Sequence, residues 1–212
     1  APTVLELEDW VSDGFDVYAI CVQECMHIDT LRENLCQCLS RHGKGFVEFQ
    51  RKIGSTSTPY HGHIAIIVLV KENLIRSKVV DCPDTLGSEV YRGRSLGIFG
   101  KAGNKGAVGL ACKVGGTSIA FIGCHLSADL TGRGTAEKRT ADTRAVMSEV
   151  NVDYDEILPF EVVNMHHHVI FLGDLNFRIA ATPVRALEMI AECAREDDWQ
   201  RLLDLDQLKT LQ

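Results

Sequence analysis

The stretch AVGLACKVGGTSIAFIGCHL, residues 107–126, decides the fold class. Its two halves, Ala107–Val114 and Thr117–Leu126, are mostly apolar, and only Gly115-Gly116 separates them. Two glycines between two apolar runs of strand length are typical of a two-residue β-hairpin turn. The stretch therefore predicts a pair of antiparallel strands and an antiparallel sheet near the centre of the fold.

Further strands and helices are expected on both sides of this hairpin. Apolar runs of strand length predict buried strands at Asp16–Gln23, His63–Lys71 and His168–Leu172. Helices are expected at Asp29–Arg41, Thr135–Val150, Pro183–Arg195 and Asp198–Leu208. Hairpins with helices between them favour antiparallel sheets covered by helices over a doubly wound parallel sheet.

Composition excludes several classes of protein. The chain has 212 residues, 45% hydrophobic and 24% charged, which is typical of a globular protein with one sizeable core. Its formal net charge of −7 does not favour nucleic acid as a partner. The longest apolar run, Ile64–Val70, is far shorter than the roughly 20 residues of a membrane span. The acidic N-terminal residues are unlike a signal peptide.

One segment is basic although the chain is acidic. No Asp or Glu occurs between Glu89 and Asp129. The basic residues of that segment are Arg92, Arg94, Lys101, Lys105 and Lys113. The pattern indicates either a local anion site or a solvated basic edge.

The cysteines and histidines do not follow a metal-site pattern. None of the eight cysteines forms a Cys-x-x-Cys pair, and several lie in apolar runs, so buried reduced thiols in an intracellular protein are expected. The triplet His166-His167-His168 is interpreted as the edge between a loop and a strand, because neighbours on a strand point to opposite faces.

The strongest chemical pattern is FLGDLNFR, residues 171–178. Asp174 follows an apolar strand, and Asn176 and Arg178 come two and four residues later. A general base next to a hydrogen-bond donor can activate a water molecule. The alternative is an Asp/Asn turn without a chemical role.

Three weaker candidates lie elsewhere in the chain. Glu24 ends an apolar strand, where a carboxylate either reaches solvent or holds a cation. The loop Gly100–Gly106, with Asn104 and Lys105, either binds phosphate or forms an ordinary turn, and it lacks the ending of a nucleotide P-loop. His125 closes a strand as either a site residue or a satisfied edge histidine.

Together these segments resemble the inositol polyphosphate 5-phosphatases of the endonuclease/exonuclease/phosphatase superfamily, along nearly the whole chain. The Gly-Asp-Leu-Asn core is shared across the superfamily, whereas the Phe177-Arg178 extension and the Gly-Asn-Lys-Gly loop are more specific to the 5-phosphatases. The matching segments are Val22-Gln23-Glu24, Tyr60-His61-Gly62, Gly103–Val108, Cys124–Ala128, Gly173–Arg178 and Asp206–Lys209.

The resemblance implies an α+β fold, a β-sandwich of two mainly antiparallel sheets flanked by helices in four layers, α/β/β/α. It implies Mg²⁺-dependent removal of the 5-phosphate from a phosphoinositide or a soluble inositol polyphosphate. The roles that it implies are Mg²⁺ binding for Glu24, activation of water for Asp174, hydrogen bonding to phosphoryl oxygens for Asn176 and His125, and substrate binding for Asn104, Lys105 and Arg178. A cytoplasmic enzyme in peripheral contact with cytosolic membrane faces is expected, and the sequence indicates no particular protein partner.

The chain also departs from the family's pattern. Asp129 stands where the family usually has a residue such as His or Gly, and the family's Glu-Arg-Arg-Asn segment becomes Glu137-Lys138-Arg139-Thr140. Both departures bear on substrate preference. Residues 1–212 are interpreted as one incomplete catalytic domain that lacks the family's first strand and its C-terminal portion, with the catalytic Asp-His pair. Alone, the chain is therefore expected to be poorly active. The alternatives are another superfamily phosphodiesterase, similar to an abasic-site endonuclease or a sphingomyelinase, and a non-catalytic binding module.

Overall fold

Two sheets packed face to face, with helices on both outer surfaces, make up the computed structural model. The structure describes residues 1–40, 45–57, 61–83, 87–92, 105–128, 136–152 and 160–209. Of the residues singled out above, Arg41, Tyr60, Arg94, Gly100, Lys101, Gly103, Asn104, Asp129 and Thr135 lie outside these ranges.

The first sheet has three antiparallel strands in the order β1-β3-β2: β1 Val17–Cys25, β2 Phe46–Ser55 and β3 Gly62–Lys71. The central strand β3 carries the apolar run Ile64–Val70, in which every residue is fully buried. A strand without polar side chains is stable here because both of its faces are covered and both of its edges are paired.

The second sheet contains the predicted hairpin. Its strands are β4 Val80–Asp81, β5 Gly87–Tyr91, β6 Gly106–Val114, β7 Thr117–His125 and β8 His168–Asp174. Their order is β4-β6-β7-β8, and β5 also pairs with β6. The β6–β7 hairpin is confirmed, with Val114 opposite Thr117 across the turn. Strand β8 is parallel to β7, and the other pairs are antiparallel.

Helices cover the outer faces of both sheets, so the four-layer α+β sandwich is confirmed. Apolar residues of the first two helices pack with Ala65, Ile67 and Leu69 on the first sheet, and Val146 packs on the second. No helix within the described ranges is long and apolar enough to cross a membrane. The helices are α1 Val4–Trp10, α2 Ile28–Ser40, α3 Glu72–Arg76, α4 Ala136–Glu149, α5 Val162–Met165, α6 Pro183–Glu196 and α7 Gln200–Leu203.

The central core lies between the sheets. Alternate side chains of β3, including Ile64, Ile66 and Val68, meet Val108 and Leu110 of β6 there. The odd-numbered neighbours of β3 face the helices instead, which is the alternation expected of a strand. The sandwich therefore has one apolar layer between its sheets and one under each helical layer.

Three sequence predictions need correction. The strand at Asp16–Gln23 exists within β1 but is only partly buried, because β1 pairs with β3 alone among the described strands and lies at the edge of its sheet. The strand at His168–Leu172 exists within β8 but is not buried: Ile170 is 45% exposed, because β7 is the only partner of β8 among the described strands. The helix predicted over Asp198–Leu208 covers only Gln200–Leu203. Beyond it, Asp206 forms an isolated antiparallel bridge with Ile179, so backbone groups that a longer helix would need are paired elsewhere.

The histidine triplet lies at the edge between a loop and a strand, as predicted. His166 and His167 precede β8, and His168 begins it. His167 accepts a hydrogen bond at Nδ1 from the backbone N–H of Ser118, at 3.1 Å. The triplet therefore helps to fix the start of β8 beside β7.

Candidate active site

One edge of the second sheet collects most of the polar residues singled out in the sequence. In the register of the sheet, Gly106 lies opposite His125, and His125 lies opposite Asp174. The carboxyl ends of the parallel strands β7 and β8 therefore coincide with the start of the antiparallel strand β6. The end of β1, which packs against β7 and β8 from the first sheet, brings Glu24 to the same place.

The Lys105 ammonium is the centre of this cluster. Its Nζ lies 2.7 Å from Nε2 of His125 and 3.9 Å from Oε1 of Glu24. In this arrangement the ammonium donates and the imidazole nitrogen accepts. Burial lowers the pKa of Lys105, and the negative charges of Glu24 and Asp174 oppose that effect. The cation is thus partly removed from water and faces two carboxylates.

His125 and Asp174 differ in their exposure to solvent. The His125 side chain is almost fully buried, and its Nε2 lies 3.4 Å from Oδ2 of Asp174. The Asp174 side chain is 49% exposed. An anion approaching from solvent would therefore meet the open carboxylate of Asp174 with a buried imidazole behind it.

A tight turn after β8 positions Asn176. Its backbone N–H donates to Oδ1 of Asp174 at 2.9 Å, and its φ of +56° lies in the left-handed region. The buried side-chain amide donates from Nδ2 to the Leu126 carbonyl at 2.9 Å and accepts at Oδ1 from Nη2 of Arg178 at 2.8 Å. These two partners fix the orientation of the amide and leave its second N–H for a ligand.

A bulge in β1 positions Glu24. Val22 pairs with Ala65 and Cys25 pairs with His63, so Gln23 and Glu24 together face the single residue Ile64. Glu24 has a φ of +52°, an uncommon conformation for a residue with a side chain. Gly62 allows the close approach, because a Cβ there would lie 2.6 Å from the Glu24 carbonyl carbon. Strained backbone of this kind persists where the surrounding structure determines it, and it clusters at functional sites.

The described arginine and lysine residues of the basic segment lie in three different places. Arg92 donates from Nη1 to Glu149 at 2.8 Å, which is a surface ion pair with α4. Lys113 lies opposite Ser118 near the hairpin turn, at the far end of the strand from His125. Lys105 is therefore the member of the segment that joins the site.

The site gathers six of the seven residues named from the sequence: Glu24, Lys105, His125, Asp174, Asn176 and Arg178. Asn104 lies outside the described residues. Sequence reasoning did not single out Arg139 and Gln207, which contact the Phe177-Arg178 segment. Gln207 belongs to the segment Asp206–Lys209 that resembles the family, and Arg139 to a segment that departs from the family's pattern.

The donor set suits a hard, largely hydrated cation. The Glu24 side chain is 60% exposed, so its oxygens are accessible to an ion at the end of β1. Within the part of the chain that the structure describes, no group of three His, Cys, Asp or Glu residues could enclose a metal. Mg²⁺ commonly uses one or two carboxylates and keeps several waters, so it fits this arrangement.

The fold is a sandwich of two sheets covered by helices, and it places a carboxylate, an imidazole and an amide at the carboxyl ends of neighbouring strands. This architecture defines the fold class, and the sequence identifies the family. Residues 3–212 match Endonuclease/Exonuclease/phosphatase family 2, and the chain belongs to this family.

Known proteins of this kind share part of the chain's sequence or its fold. Type I inositol polyphosphate 5-phosphatase 1 of Arabidopsis thaliana is 31% identical over 150 residues, which are 68% of this chain and 23% of that protein. Phosphatidylinositol 3,4,5-trisphosphate 5-phosphatase 1 of Mus musculus is 28% identical over 194 residues, 91% of this chain and 15% of that protein. The chain thus spans less than a quarter of either relative.

A solved structure with the same fold is the inositol polyphosphate 5-phosphatase domain of SPsynaptojanin, in complex with inositol (1,4)-bisphosphate and calcium ion. It superimposes with a TM-score of 0.69 at 22% sequence identity. The match covers 98% of this chain and 57% of that one.

Proposed function

We propose that this chain carries the catalytic residues of an inositol polyphosphate 5-phosphatase that removes the 5-phosphate from a phosphoinositide or a soluble inositol polyphosphate. The observation that carries the proposal is the convergence of Glu24, His125 and Asp174 around the Lys105 ammonium. A site with two carboxylates and a half-buried cation can hold a phosphate, a metal ion and a water molecule together. The names of the relatives support the choice of substrate class.

In this proposal Asp174 is the general base. Its half-exposed carboxylate takes a proton from a water molecule whose oxygen attacks phosphorus. The bond between phosphorus and the inositol oxygen breaks, and that oxygen takes up a proton from a solvent water as the alcohol leaves; Asp174 then returns its proton to solvent. The hydrogen bond from the Asn176 backbone to Oδ1 of Asp174 holds the carboxylate in place and leaves Oδ2 for the water.

The neighbouring groups bind the phosphate and stabilise the charge that develops on it. The second N–H of the Asn176 amide donates to a phosphoryl oxygen, and the one protonated ring nitrogen of the neutral His125 imidazole donates to another. Lys105 and Arg178 supply positive charge, and Asn104 is assigned to the same phosphate by resemblance. Donors held in a partly buried site are worth more than donors in water, because they need no reorganisation.

Mg²⁺ is the proposed cofactor, and Glu24 is the residue that would hold it. The bound ion would neutralise phosphate charge and polarise the bond to phosphorus. The exposed Glu24 carboxylate on its β-bulge supports this choice. The Lys105 ammonium, 3.9 Å from Glu24, would help to neutralise the negative charge of the substrate.

The proposed setting is the cytosolic face of a membrane, where the chain would reach phosphoinositide headgroups by peripheral contact. Support comes from the name of one relative, a phosphatidylinositol 3,4,5-trisphosphate 5-phosphatase, because a phosphatidylinositol is a membrane lipid. A soluble inositol polyphosphate presents the same phosphate chemistry without the membrane.

The test is phosphate release from soluble inositol 1,4,5-trisphosphate with Mg²⁺ and with EDTA, for the wild type, Asp174→Asn and the control Asp9→Asn. Asp9 is an exposed residue of α1. We expect Asp174→Asn to lose at least about 10²-fold in kcat with an unchanged circular dichroism spectrum, because the general base is removed without a change of shape. Near wild-type kcat in Asp174→Asn would contradict the assignment.

The same experiment separates the alternatives. Cleavage of abasic DNA in preference to the inositol phosphate would identify another phosphodiesterase of the superfamily. Binding of the inositol phosphate without turnover would identify a binding module. Because the chain spans 57% of the SPsynaptojanin domain chain, a polypeptide extended at both ends is assayed beside it. We expect the longer form to have the higher kcat/KM, and equal values would contradict our interpretation of the chain as incomplete.

A further inference from the structure

Arg139 is a charged residue inside the protein. It lies on α4, its side chain is fully buried, and no larger side chain of the described residues is buried as completely. Burying a guanidinium is unfavourable unless hydrogen bonds and electrostatic partners replace the lost water. Its Cζ lies 5.2 Å from the centre of the Phe177 ring, and its Nη2 donates to Oε1 of Gln207. Both partners belong to the segments beside the proposed site.

Gln207 connects Arg139 with Arg178. Its Oε1 also accepts the backbone N–H of Arg178 at 3.0 Å, and its own backbone N–H donates to the Arg178 carbonyl at 3.1 Å. The neighbouring bridge between Ile179 and Asp206 continues this pairing. Gln207 therefore bonds to both the N–H and the C=O of the Arg178 backbone, and the buried Arg139 guanidinium bonds to the Gln207 side chain.

The chain of contacts ends on Asn176. Arg178 donates from Nη2 to Oδ1 of Asn176, which determines that the amide nitrogen faces the Leu126 carbonyl and the site. Asn176 has a left-handed backbone, a conformation that costs free energy and needs support from its surroundings. One direct partner of Asn176, Arg178, is thus held by contacts that start at Arg139, one layer further from the proposed reaction.

We propose that Gln207 and Arg139 are positioning residues: they hold Arg178 so that the Asn176 amide keeps the orientation needed to donate to a phosphoryl oxygen. This inference rests on the proposed function for its effect on turnover, but the orientation of the Asn176 amide can be observed without it. Oε1 of Gln207 accepts the hydrogen bonds from Arg139 and from the Arg178 backbone, so a carboxylate can replace the amide in these two contacts and a thioether cannot.

The experiment compares Gln207→Met, which keeps the shape but removes the acceptor, with Gln207→Glu, which keeps an acceptor oxygen. Gln37→Met is the matched control, because Gln37 is an exposed residue of α2. The first readout is the side-chain amide pair of Asn176 in ¹H–¹⁵N correlation spectra of the isotope-labelled chain. We expect its two signals to move in Gln207→Met and to stay in place in Gln207→Glu and Gln37→Met. If Gln207→Met does not fold, Gln207→Asn, which withdraws the acceptor by one carbon, takes its place.

The second readout is turnover of inositol 1,4,5-trisphosphate. We expect kcat of Gln207→Met to fall by about 10²-fold, the effect of a misplaced group, while KM changes by less than about threefold and Gln207→Glu restores kcat. Unmoved Asn176 signals in the folded acceptor-free variant would overturn the proposal, and so would moved signals with unchanged kcat. If the wild type has no activity on this substrate, either alone or in the longer form, the proposed function alone is overturned, because the spectra still decide whether Gln207 orients Asn176.

Discussion

Replacing Gly173 with Ala tests whether the close approach of β8 to β7 sets the position of Asp174. Gly173 has a φ of +121°, which residues with a side chain rarely adopt. A Cβ at this position would lie 2.2 Å from the Cys124 carbonyl oxygen and 2.9 Å from the Cys124 backbone nitrogen. These contacts are backbone atoms of the neighbouring strand, so they cannot be relieved by rotation of a side chain.

The expected loss of stability has two sources. Strained backbone at such a φ costs about 1–3 kcal/mol. Moving a packed strand to make room for an extra carbon costs about 1–3 kcal/mol more. Domains are commonly stable by only about 5–15 kcal/mol, so a total of roughly 2–6 kcal/mol is a large fraction. At about 2–4 °C per kcal/mol for a chain of this size, Tm should fall by roughly 4–24 °C.

The assay is thermal and urea unfolding followed by circular dichroism, with Gly116→Ala as the control. Gly116 lies in the β6–β7 turn, and a Cβ there would meet no atom within 4 Å. We expect the control to stay within about 0.5 kcal/mol of the wild type, as surface substitutions usually do. A free energy of unfolding for Gly173→Ala within that same range would refute the reasoning, because it would show that β8 can move away from β7 without loss.

Three further outcomes are expected. Thiol titration under denaturing, non-reducing conditions should find all eight cysteines free, and a count of two or fewer would contradict this. In the native protein Cys21 should react slowly with the same reagent at pH 8, because burial raises its pKa to about 11. Thr3→Ala should lower Tm more at pH 7 than at pH 3. The backbone N–H and the hydroxyl of Thr3 both donate to Glu6 and lower its pKa, and the substitution removes the hydroxyl only. The hydroxyl's stabilisation of the carboxylate is present above pH about 4.5 and is lost as the pH falls through the folded-state pKa, so equal decreases would contradict this. Asn176→Asp should destabilise the fold by about 1–3 kcal/mol, because one of its oxygens would face the Leu126 carbonyl; unchanged urea unfolding would refute it.

Local patterns were sufficient for most of the scaffold. Two glycines between apolar runs specify the β6–β7 hairpin, because the turn geometry needs little beyond its own residues. Thr182 and Pro183 specify the start of α6 in the same way: the threonine side chain caps the helix, and proline suits its first turn. The fully apolar run in β3 predicts burial on both faces, and the structure places it at the centre of its sheet.

Features that depend on distant partners could not be predicted in this way. Strand β2 pairs along its whole length with β3, yet its sequence mixes charged and apolar residues, so its period is weak. The exposure of β8 depends on how many strands pair with it, and the number of neighbouring strands cannot be inferred from the residues of β8 alone. Gln207 looks like an ordinary polar residue near the end of the chain, and only the folded structure brings its side chain to Arg139 and Arg178.

The proposed site depends both on local sequence motifs and on contacts between strands that are distant in sequence. Its residue types could be identified from short motifs, but their orientation depends on backbone features that cross between strands. The position of Glu24 requires a β-bulge and the absence of a side chain at Gly62 on the neighbouring strand. The position of Asp174 requires the absence of a side chain at Gly173, which packs against β7. Backbone packing therefore sets the position of each carboxylate, in addition to the contacts with Lys105, His125 and the Asn176 N–H. Glu24 and Asp174 are still about half exposed, so their oxygens stay accessible to a cation or a water molecule. A substitution that changes only the packing, such as Gly173→Ala, should then reduce turnover without altering a single functional group, and this is how the architecture of the sheet edge and its chemistry can be separated by experiment.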